Sequence, residues 1–292
     1  MERFIRVLQA LEDGNVRALH LARVGSRRLR EVVPVLQLDR DDARKLSRRL
    51  RKITKRLGTV RELDVLLLLI DELHASRRQF NQALSRVAVA VAKDRDDARD
   101  ALAKRMPVSE LRRVARKLTR VADALAETDA AAGRSLESRS WQWTIDARVA
   151  ARAARLVTAI HEAGAVYLPE RLHAVRITVK KLRYAVELRA DARAEKSAAD
   201  LRLLRHAQDT LGRMHDIQVL IDRVRRVQAS LTPPSVTVWR ALDDLTIALD
   251  AECRELHARY MRRRNDLLEL AERLSVKVQP PRKRAVMREA AG

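Results

Sequence analysis

The chain is poor in residues that break helices or cross-link a fold. Its 292 residues include 7 Gly, 7 Pro and 1 Cys, and aromatic residues make up 3% of the composition. The single cysteine, Cys253, excludes an intramolecular disulfide and is typical of a reducing compartment. Because the commonest residues are the helix formers Ala, Arg and Leu, and strand-like alternation is nowhere sustained, we expect an all-α fold.

Long apolar runs are also missing. The longest run, Val65 to Ile70, is far shorter than the roughly 20 residues that a helix needs to cross a membrane. The amphipathic N-terminus carries Glu2, Glu12 and Asp13, where a secretory signal would be apolar. We therefore expect a soluble cytoplasmic protein that does not associate with membranes.

The motifs of common phosphate chemistry are absent as well. The sequence has no Gly-rich phosphate loop, no HExxH pair and no ExExK pattern of a triphosphate-cleaving metal tunnel. Two acidic clusters, at residues 39–42 and 94–97, are expected on solvated helix surfaces. We therefore expect no enzymatic activity, no metal site and no cofactor, and we keep a metal-dependent phosphohydrolase as the least favoured alternative.

Positive charge is what the sequence has in excess. Lys and Arg number 61 against 39 Asp and Glu, which gives a net charge of +22. The cations are spread evenly, with 30 in residues 1–130 and 31 in residues 131–292. Such a charge indicates a polyanionic partner. The excess of arginine over lysine suits bidentate recognition of oxyanions, although genomic compositional bias explains it equally well.

One basic motif occurs twice, as HLARVGSRRLR at residues 20–30 and as HAVRITVKKLR at residues 173–183. On an α-helix the cations of each copy share one face. In the first copy this face holds His20, Arg23, Arg27 and Arg30, with Arg28 at its edge, opposite Leu21, Ala22, Gly25 and Leu29. In the second copy it holds His173, Arg176, Lys180, Arg183 and Tyr184, opposite Val175, Thr178 and Leu182.

Two further blocks repeat in the same order. LGTVRELDVL at residues 57–66 aligns with LGRMHDIQVL at 211–220, and ARDALAKRM at 98–106 aligns loosely with CRELHARYM at 253–261. Because the offset between copies stays nearly constant, the chain is predicted to be an internal duplication. We expect two pseudo-symmetric antiparallel helical bundles around a basic pore or groove, residues 1–130 and 131–275, followed by a basic flexible tail at 276–292.

Local signals give approximate helix limits, with Ser109 as an N-cap and residues 128–133 as the junction between the halves. Helices are predicted at residues 1–12, 16–33, 40–57, 59–75, 78–105 and 109–127, and at 135–163, 168–190, 196–211, 213–230, 235–264 and 266–275. The pairs Leu57-Gly58 and Leu211-Gly212 are interpreted as helix ends. Glu62 and Asp216 would then lie in first turns, where capping is favoured over the alternative of orienting neighbouring arginines.

Other cations recur less faithfully. Arg48, Lys52, Lys55 and Arg56 have counterparts in Arg202, Arg205 and His206, and Arg99 and Arg254 lie in the third repeated block.

A single basic helix face is as well explained by solvation as by binding. Because the charges recur at the same positions of both copies, we favour a binding groove for an extended polyanion. Surrounding arginines should lower the histidine pKa values until an anion binds.

At these motifs the chain resembles the CHAD family, the conserved histidine α-helical domain, over residues 1–275. The resemblance implies two helical bundles around a basic pore, inorganic polyphosphate as the ligand and no established catalytic activity. By position, it implies a site formed by His20, Arg23, Arg27, Arg28, Arg30, His173, Arg176, Lys180, Lys181 and Arg183. Arg61 and His215 occupy matching positions with different residue types and are further candidates. Many relatives also carry a CYTH triphosphate-tunnel domain, for which this chain has no motif.

Two functions without catalysis are therefore favoured over a phosphohydrolase. We expect non-catalytic polyphosphate binding, including attachment to polyphosphate granules, and we keep nucleic-acid binding as the alternative. The low aromatic content leaves few stacking platforms for single strands, and no helix-turn-helix or zinc-finger signature is present.

Overall fold

Eight α-helices dominate the part of the chain that the computed structural model describes, residues 16–36, 38–105, 108–131, 137–193 and 197–276. They are α1 (Val16–Val32), α2 (Arg40–Ser76), α3 (Asn81–Arg105), α4 (Val108–Ala131), α5 (Glu137–Ala163), α6 (Pro169–Arg193), α7 (Ala198–Ala229) and α8 (Val236–Ser275). The described residues contain no strand, so the all-α prediction is confirmed. The predicted helix at 1–12 and the tail beyond residue 276 lie outside them.

Several helix ends follow from local chemistry. The carboxylate of Asp39 caps α2 by accepting hydrogen bonds from the backbone N–H groups of Asp41 and Asp42 at 3.0 and 3.3 Å. Pro169 opens α6, where its missing N–H costs nothing. Gly164 follows the end of α5 with a φ of +63°, a conformation that glycine adopts without strain. These ends agree with the sequence signals.

The predicted helix ends at the two Leu-Gly pairs are wrong. Helix α2 continues through Leu57 and Gly58, α7 continues through Leu211 and Gly212, and α8 continues through residues 264–266. An interior glycine costs a helix only about 1 kcal/mol, and burial of the adjacent leucines more than offsets this cost.

The same continuity changes the role of nearby polar residues. Glu62 and Asp216 lie inside helices, so the predicted capping by these carboxylates is wrong. Ser109 was expected to cap α4, but the helix begins at Val108. The residues from Thr128 to Ala131, predicted as part of the junction between the halves, are helical.

Buried apolar side chains form two clusters, and α2 belongs to both. The smaller cluster joins α1, the first half of α2 and α4, and includes Ala22, Leu50 and Leu118. The larger cluster joins the second half of α2 with α3 and with α5 to α8. Helix α2 has 37 residues and is therefore about 55 Å long. The pseudo-twofold relation between the two halves stays a prediction.

This packing brings together the two helices that carry the repeated basic motif. Helix α1 contacts α6, and α2 contacts α7. On α1 the buried stripe runs through Ala18, Ala22 and Ser26, and the Ser26 hydroxyl lies 3.0 Å from that of Thr54 on α2. Leu21, expected on the packing side, is 44% exposed because it lies beside this stripe rather than on it. The cations of α1 are left to face α6 and α7.

No helix in the described ranges is both long and apolar enough to cross a bilayer.

We predict opposite effects of alanine at two glycines. Gly212→Ala should raise the free energy of unfolding by about 0.5–1 kcal/mol, because the glycine is helical and no heavy atom lies within 4 Å of the added Cβ. Gly164→Ala should lower it by about 1–2 kcal/mol, because the backbone there is left-handed. Urea denaturation measures both, and destabilisation by Gly212→Ala would contradict a continuous α7.

Candidate anion-binding pocket

A pocket of about 560 Å³ lies where α1, α2, α6 and α7 meet. We call it the central pocket. Six arginines, one lysine and three histidines line it together with two carboxylates. Its lining residues are His20, Arg23, Val24, Arg27, Arg28, Arg61, Glu62, Val65, His173, Arg176, Ile177, Lys180, Arg183, Tyr184, Gln208, Gly212, His215 and Asp216.

The central pocket unites the two copies of the basic motif. Eleven of the predicted site residues line it, namely His20, Arg23, Arg27, Arg28, Arg61, His173, Arg176, Lys180, Arg183, Tyr184 and His215. Arg61 and His215 therefore face the same space, although the two repeats differ in residue type at this position. Either copy alone would present a basic helix face, whereas together they enclose a concave site.

Nine other predicted residues do not line the central pocket: Arg30, Arg48, Lys52, Arg56, Arg99, Lys181, Arg202, Arg205 and Arg254. Arg48, Lys52 and Arg202 are exposed to solvent. Arg48 and Arg61 are 13 positions apart, which corresponds to about 20 Å along an unbroken α2. A helix break at Gly58 would have allowed Arg48 and Lys52 to fold back toward the pocket. Because the helix is continuous, these cations stay away from it.

Several of the remaining cations are engaged elsewhere. Arg99 Nη2 lies 3.5 Å from an oxygen of the buried Asp64, and Arg254 pairs with Asp250 at 2.7 Å on the same helix. Arg56 donates a hydrogen bond to the backbone carbonyl of Arg105. Arg205 lies 3.8 Å from Glu187, which also pairs with the lining residues Arg28 and Arg183. Arg205 is therefore close to the rim of the central pocket.

The two carboxylates of the central pocket were not predicted as site residues. Glu62 and Asp216 hold equivalent positions in the repeated blocks, and this equivalence was the signal that could have found them. Asp216 Oδ1 lies 3.9 Å from Arg176 Nη2. Because both acids face cations, the structure favours the alternative that they orient and balance arginines.

Glycine lets a guanidinium approach α2 closely. A Cβ atom on Gly58 would lie 3.5 Å from Nη2 of Arg23, so the arginine rests against the bare backbone. In the second half, Arg183 lies with its guanidinium carbon 4.6 Å from the centre of the Tyr184 ring and donates a hydrogen bond from Nε to Gln208 at 2.8 Å. Glycine therefore gives Arg23 room, and a neutral ring and a neutral amide help to orient Arg183.

Burial weakens the protonation of the basic groups in the central pocket. The pKa of Lys180 falls to about 7 because the ammonium is buried and because Arg176 and Arg27 are close. The pKa of His215 falls to about 3, first through burial and then through Arg176 and His173. Both groups lose their protons more readily because burial removes water from the charged form and neighbouring cations repel it.

The histidines respond in the same direction. Burial and then Arg61 lower the pKa of His20, and burial and then Arg176 lower that of His173. The Nδ1 atoms of His173 and His215 lie 3.1 Å apart, so one must carry a proton that the other accepts. The predicted depression of the histidine pKa values is confirmed, and burial contributes more to it than the arginines do.

The arrangement suits an oxyanion. The Nε atoms of Arg23 and Arg176 are buried and have no hydrogen-bond partner. Unsatisfied buried donors are costly, and they are most strongly stabilised by an acceptor that carries negative charge.

The described residues hold no group of three or more His, Cys, Asp or Glu side chains that is placed to bind a metal ion.

Comparison with known proteins places this chain in a family. The sequence profile of the CHAD domain matches residues 1–225. The fold is similar to that of PptA from Streptomyces chartreusis, with a TM-score of 0.61, 19% identity, and coverage of 93% of this chain and 94% of that one. It is also similar to the CHAD domain from the plant Ricinus communis, with a TM-score of 0.55, 23% identity, and coverage of 96% and 89%.

None of the curated proteins matches the chain in sequence. The two structural likenesses concern the fold, and the family profile spans well over half of the 292 residues. The repeated histidine motif, the all-α fold and the profile agree. The chain therefore belongs to the CHAD domain family.

Proposed function

We propose that the protein binds inorganic polyphosphate in the central pocket without cleaving it. The observation that carries this proposal is the convergence of both basic motifs on one concave site. His20, Arg23 and Arg27 approach from α1, and His173, Arg176 and Lys180 approach from α6. The ligand would be held by charge-assisted hydrogen bonds to its phosphate oxygens.

The shape of the site favours a thin polyanion over nucleic acid. Proteins read duplex DNA with convex elements that enter a groove, whereas these cations line the inside of a concavity. Single strands are held by stacking on aromatic rings. Tyr184 is the one Phe, Tyr or Trp residue among those that line the central pocket, and it is 9% exposed and lies against Arg183.

The carboxylates support binding rather than cleavage. Glu62 contributes to the electrostatic environment of Arg23, and Asp216 does so for Arg176. Each acid would keep a neighbouring guanidinium charged and oriented while the site is empty. A bound phosphate chain would then take over part of this charge compensation, because it carries more negative charge than the two carboxylates do.

Neutralising two pocket arginines should abolish most of the binding. We expect Arg27→Gln with Arg61→Gln to weaken the affinity for long-chain polyphosphate at least tenfold, because hydrogen bonds to charged groups contribute about 1.5–3 kcal/mol each. Neither side chain makes an ion pair with a described acid, so the folded state should be retained. Isothermal titration calorimetry measures the affinity.

The matched control is Arg225→Gln with Arg259→Gln, which removes the same charge from exposed positions on α7 and α8. Equal weakening by both double variants would show that net charge, rather than the central pocket, governs binding. Displacement of polyphosphate by duplex DNA at equal phosphate concentration would favour nucleic acid as the ligand. Release of orthophosphate during incubation would contradict binding without cleavage.

Affinity should depend on pH through Lys180. Its pKa is about 7 before phosphate binds, so below about pH 7 the ammonium is already charged and binds phosphate directly. Above this pH the side chain is neutral, and binding must take up a proton, so affinity falls as pH rises. Lys180→Arg, which stays charged, should flatten the dependence between about pH 7 and 9. An unchanged slope in this variant would contradict the assignment.

Binding of this kind would also attach the protein to polyphosphate granules. A fluorescent fusion should concentrate on granules in cells that store polyphosphate, because a condensed polyanion presents many equivalent sites. The Arg27→Gln, Arg61→Gln fusion should be diffuse. Granule attachment by this variant at the level of the unaltered protein would argue against the central pocket as the anchor.

A further inference from the structure

A second group of cations lies beside the central pocket, where α1, α5 and α6 come together. At its centre, Glu31 is 8% exposed and accepts hydrogen bonds from Arg148 Nε at 2.8 Å and from Arg152 Nη2 at 3.3 Å. We use the name junction cluster for Glu31, for its two partners Arg148 and Arg152, and for four further cations whose charges act on this group or on one another, which are Arg30, Arg51, Arg155 and Lys181.

The junction cluster has far more positive than negative charge. Arg148 and Arg152 occupy both oxygens of Glu31. The other four cations, Arg30, Arg51, Arg155 and Lys181, form no ion pair with any carboxylate in the described ranges. Like charges that lie near one another repel, and a negatively charged ligand would relieve the repulsion.

Two adjacent lysines show that the junction cluster is separate from the central pocket. Successive residues on a helix point about 100° apart. Lys180 lines the central pocket, and Arg176 and Arg27 are the cations that act on it. Lys181 is not among the lining residues, and burial followed by Arg152 and Arg155 lowers its pKa. Helix α6 therefore presents one lysine to each region.

Helix α1 connects the two regions. Arg27 lines the central pocket, and Arg30 belongs to the junction cluster. Residues three apart on a helix are surface neighbours, about 5–6 Å apart at Cβ. The pKa of Arg30 is lowered by burial, by Arg51 and also by Arg27, so the charges of the two regions interact. Cationic surface is thus continuous from the central pocket to α5.

We infer that the junction cluster is a second anion subsite, which binds further phosphate groups of a polyphosphate chain that the central pocket already holds. The inference rests on the proposed function of the central pocket. It adds the direction in which the chain leaves that pocket, along α1 toward α5. It also implies that a long chain binds more tightly than one too short to reach both regions, because the second contact is made within the same complex.

The test is the double variant Arg155→Gln with Lys181→Gln. It removes two unpaired cations and leaves the hydrogen bonds of Arg148 and Arg152 to Glu31 in place. Calorimetry with pyrophosphate and with long-chain polyphosphate measures the two affinities. We expect about a tenfold loss for the long chain and a pyrophosphate affinity equal to that of the unaltered protein. The salt dependence should become less steep for the long chain alone.

Two further variants separate charge from packing. Arg155→Lys with Lys181→Arg keeps both charges and should retain the long-chain affinity, and Arg225→Gln with Arg259→Gln should leave both affinities unchanged. Equal losses for both ligands, or no loss relative to this last variant, would overturn the subsite while leaving the central pocket intact. If the unaltered protein binds neither ligand, the proposed function fails and the subsite fails with it.

Discussion

The confinement of like charges between packed helices is the constraint on which the rest of the structure depends. Arg23 and Arg176 face one pocket from opposite repeats, and each has a buried donor without a partner. Holding such groups together costs free energy unless an anion is present. The other faces of the same helices supply the compensation, because Ala22 on α1 and Val179 on α6 are fully buried in apolar clusters. The helices are thus packed on one side and charged on the other.

Long uninterrupted helices make this confinement possible. Helix α2 takes part in both apolar clusters, so the positions of Arg61 and Glu62 are set by packing at both ends of the same helix. Rigid helices fix the positions of the cations in advance, which would limit the entropy lost on binding the proposed ligand. Gly58 contributes within this frame by letting Arg23 lie close to the backbone.

Carboxylates moderate the repulsion in each basic region. Asp216 faces Arg176 in the central pocket, Glu187 pairs with Arg183 at its rim, and Glu31 holds Arg148 and Arg152 in the junction cluster. These acids are too few to neutralise the cations around them. They orient individual guanidinium groups and leave a net positive charge in each region.

Much of the candidate site was predictable from the repeated motif. Because the charges of His20, Arg23 and Arg27 recur at His173, Arg176 and Lys180, the sequence pointed to one shared site, and all six residues line the central pocket. The predicted helix ends at Gly58 and Gly212 were wrong, because a local glycine signal was outweighed by the burial of neighbouring side chains. That error also hid Glu62 and Asp216, whose direction depends on the helix being continuous.

The sequence by itself determined the helical class, the positive charge and the duplicated pairing of histidine with arginine, since composition and periodicity act locally along the chain. Only the tertiary structure decided which cations converge. Arg61 and His215 line the central pocket, while Arg48 and Arg202 remain exposed to solvent. Arg155 acts on Lys181 although it lies in no repeated motif. The reason is physical: the distance between charges on different helices is set by how their apolar faces pack, and no local pattern in the sequence records that distance.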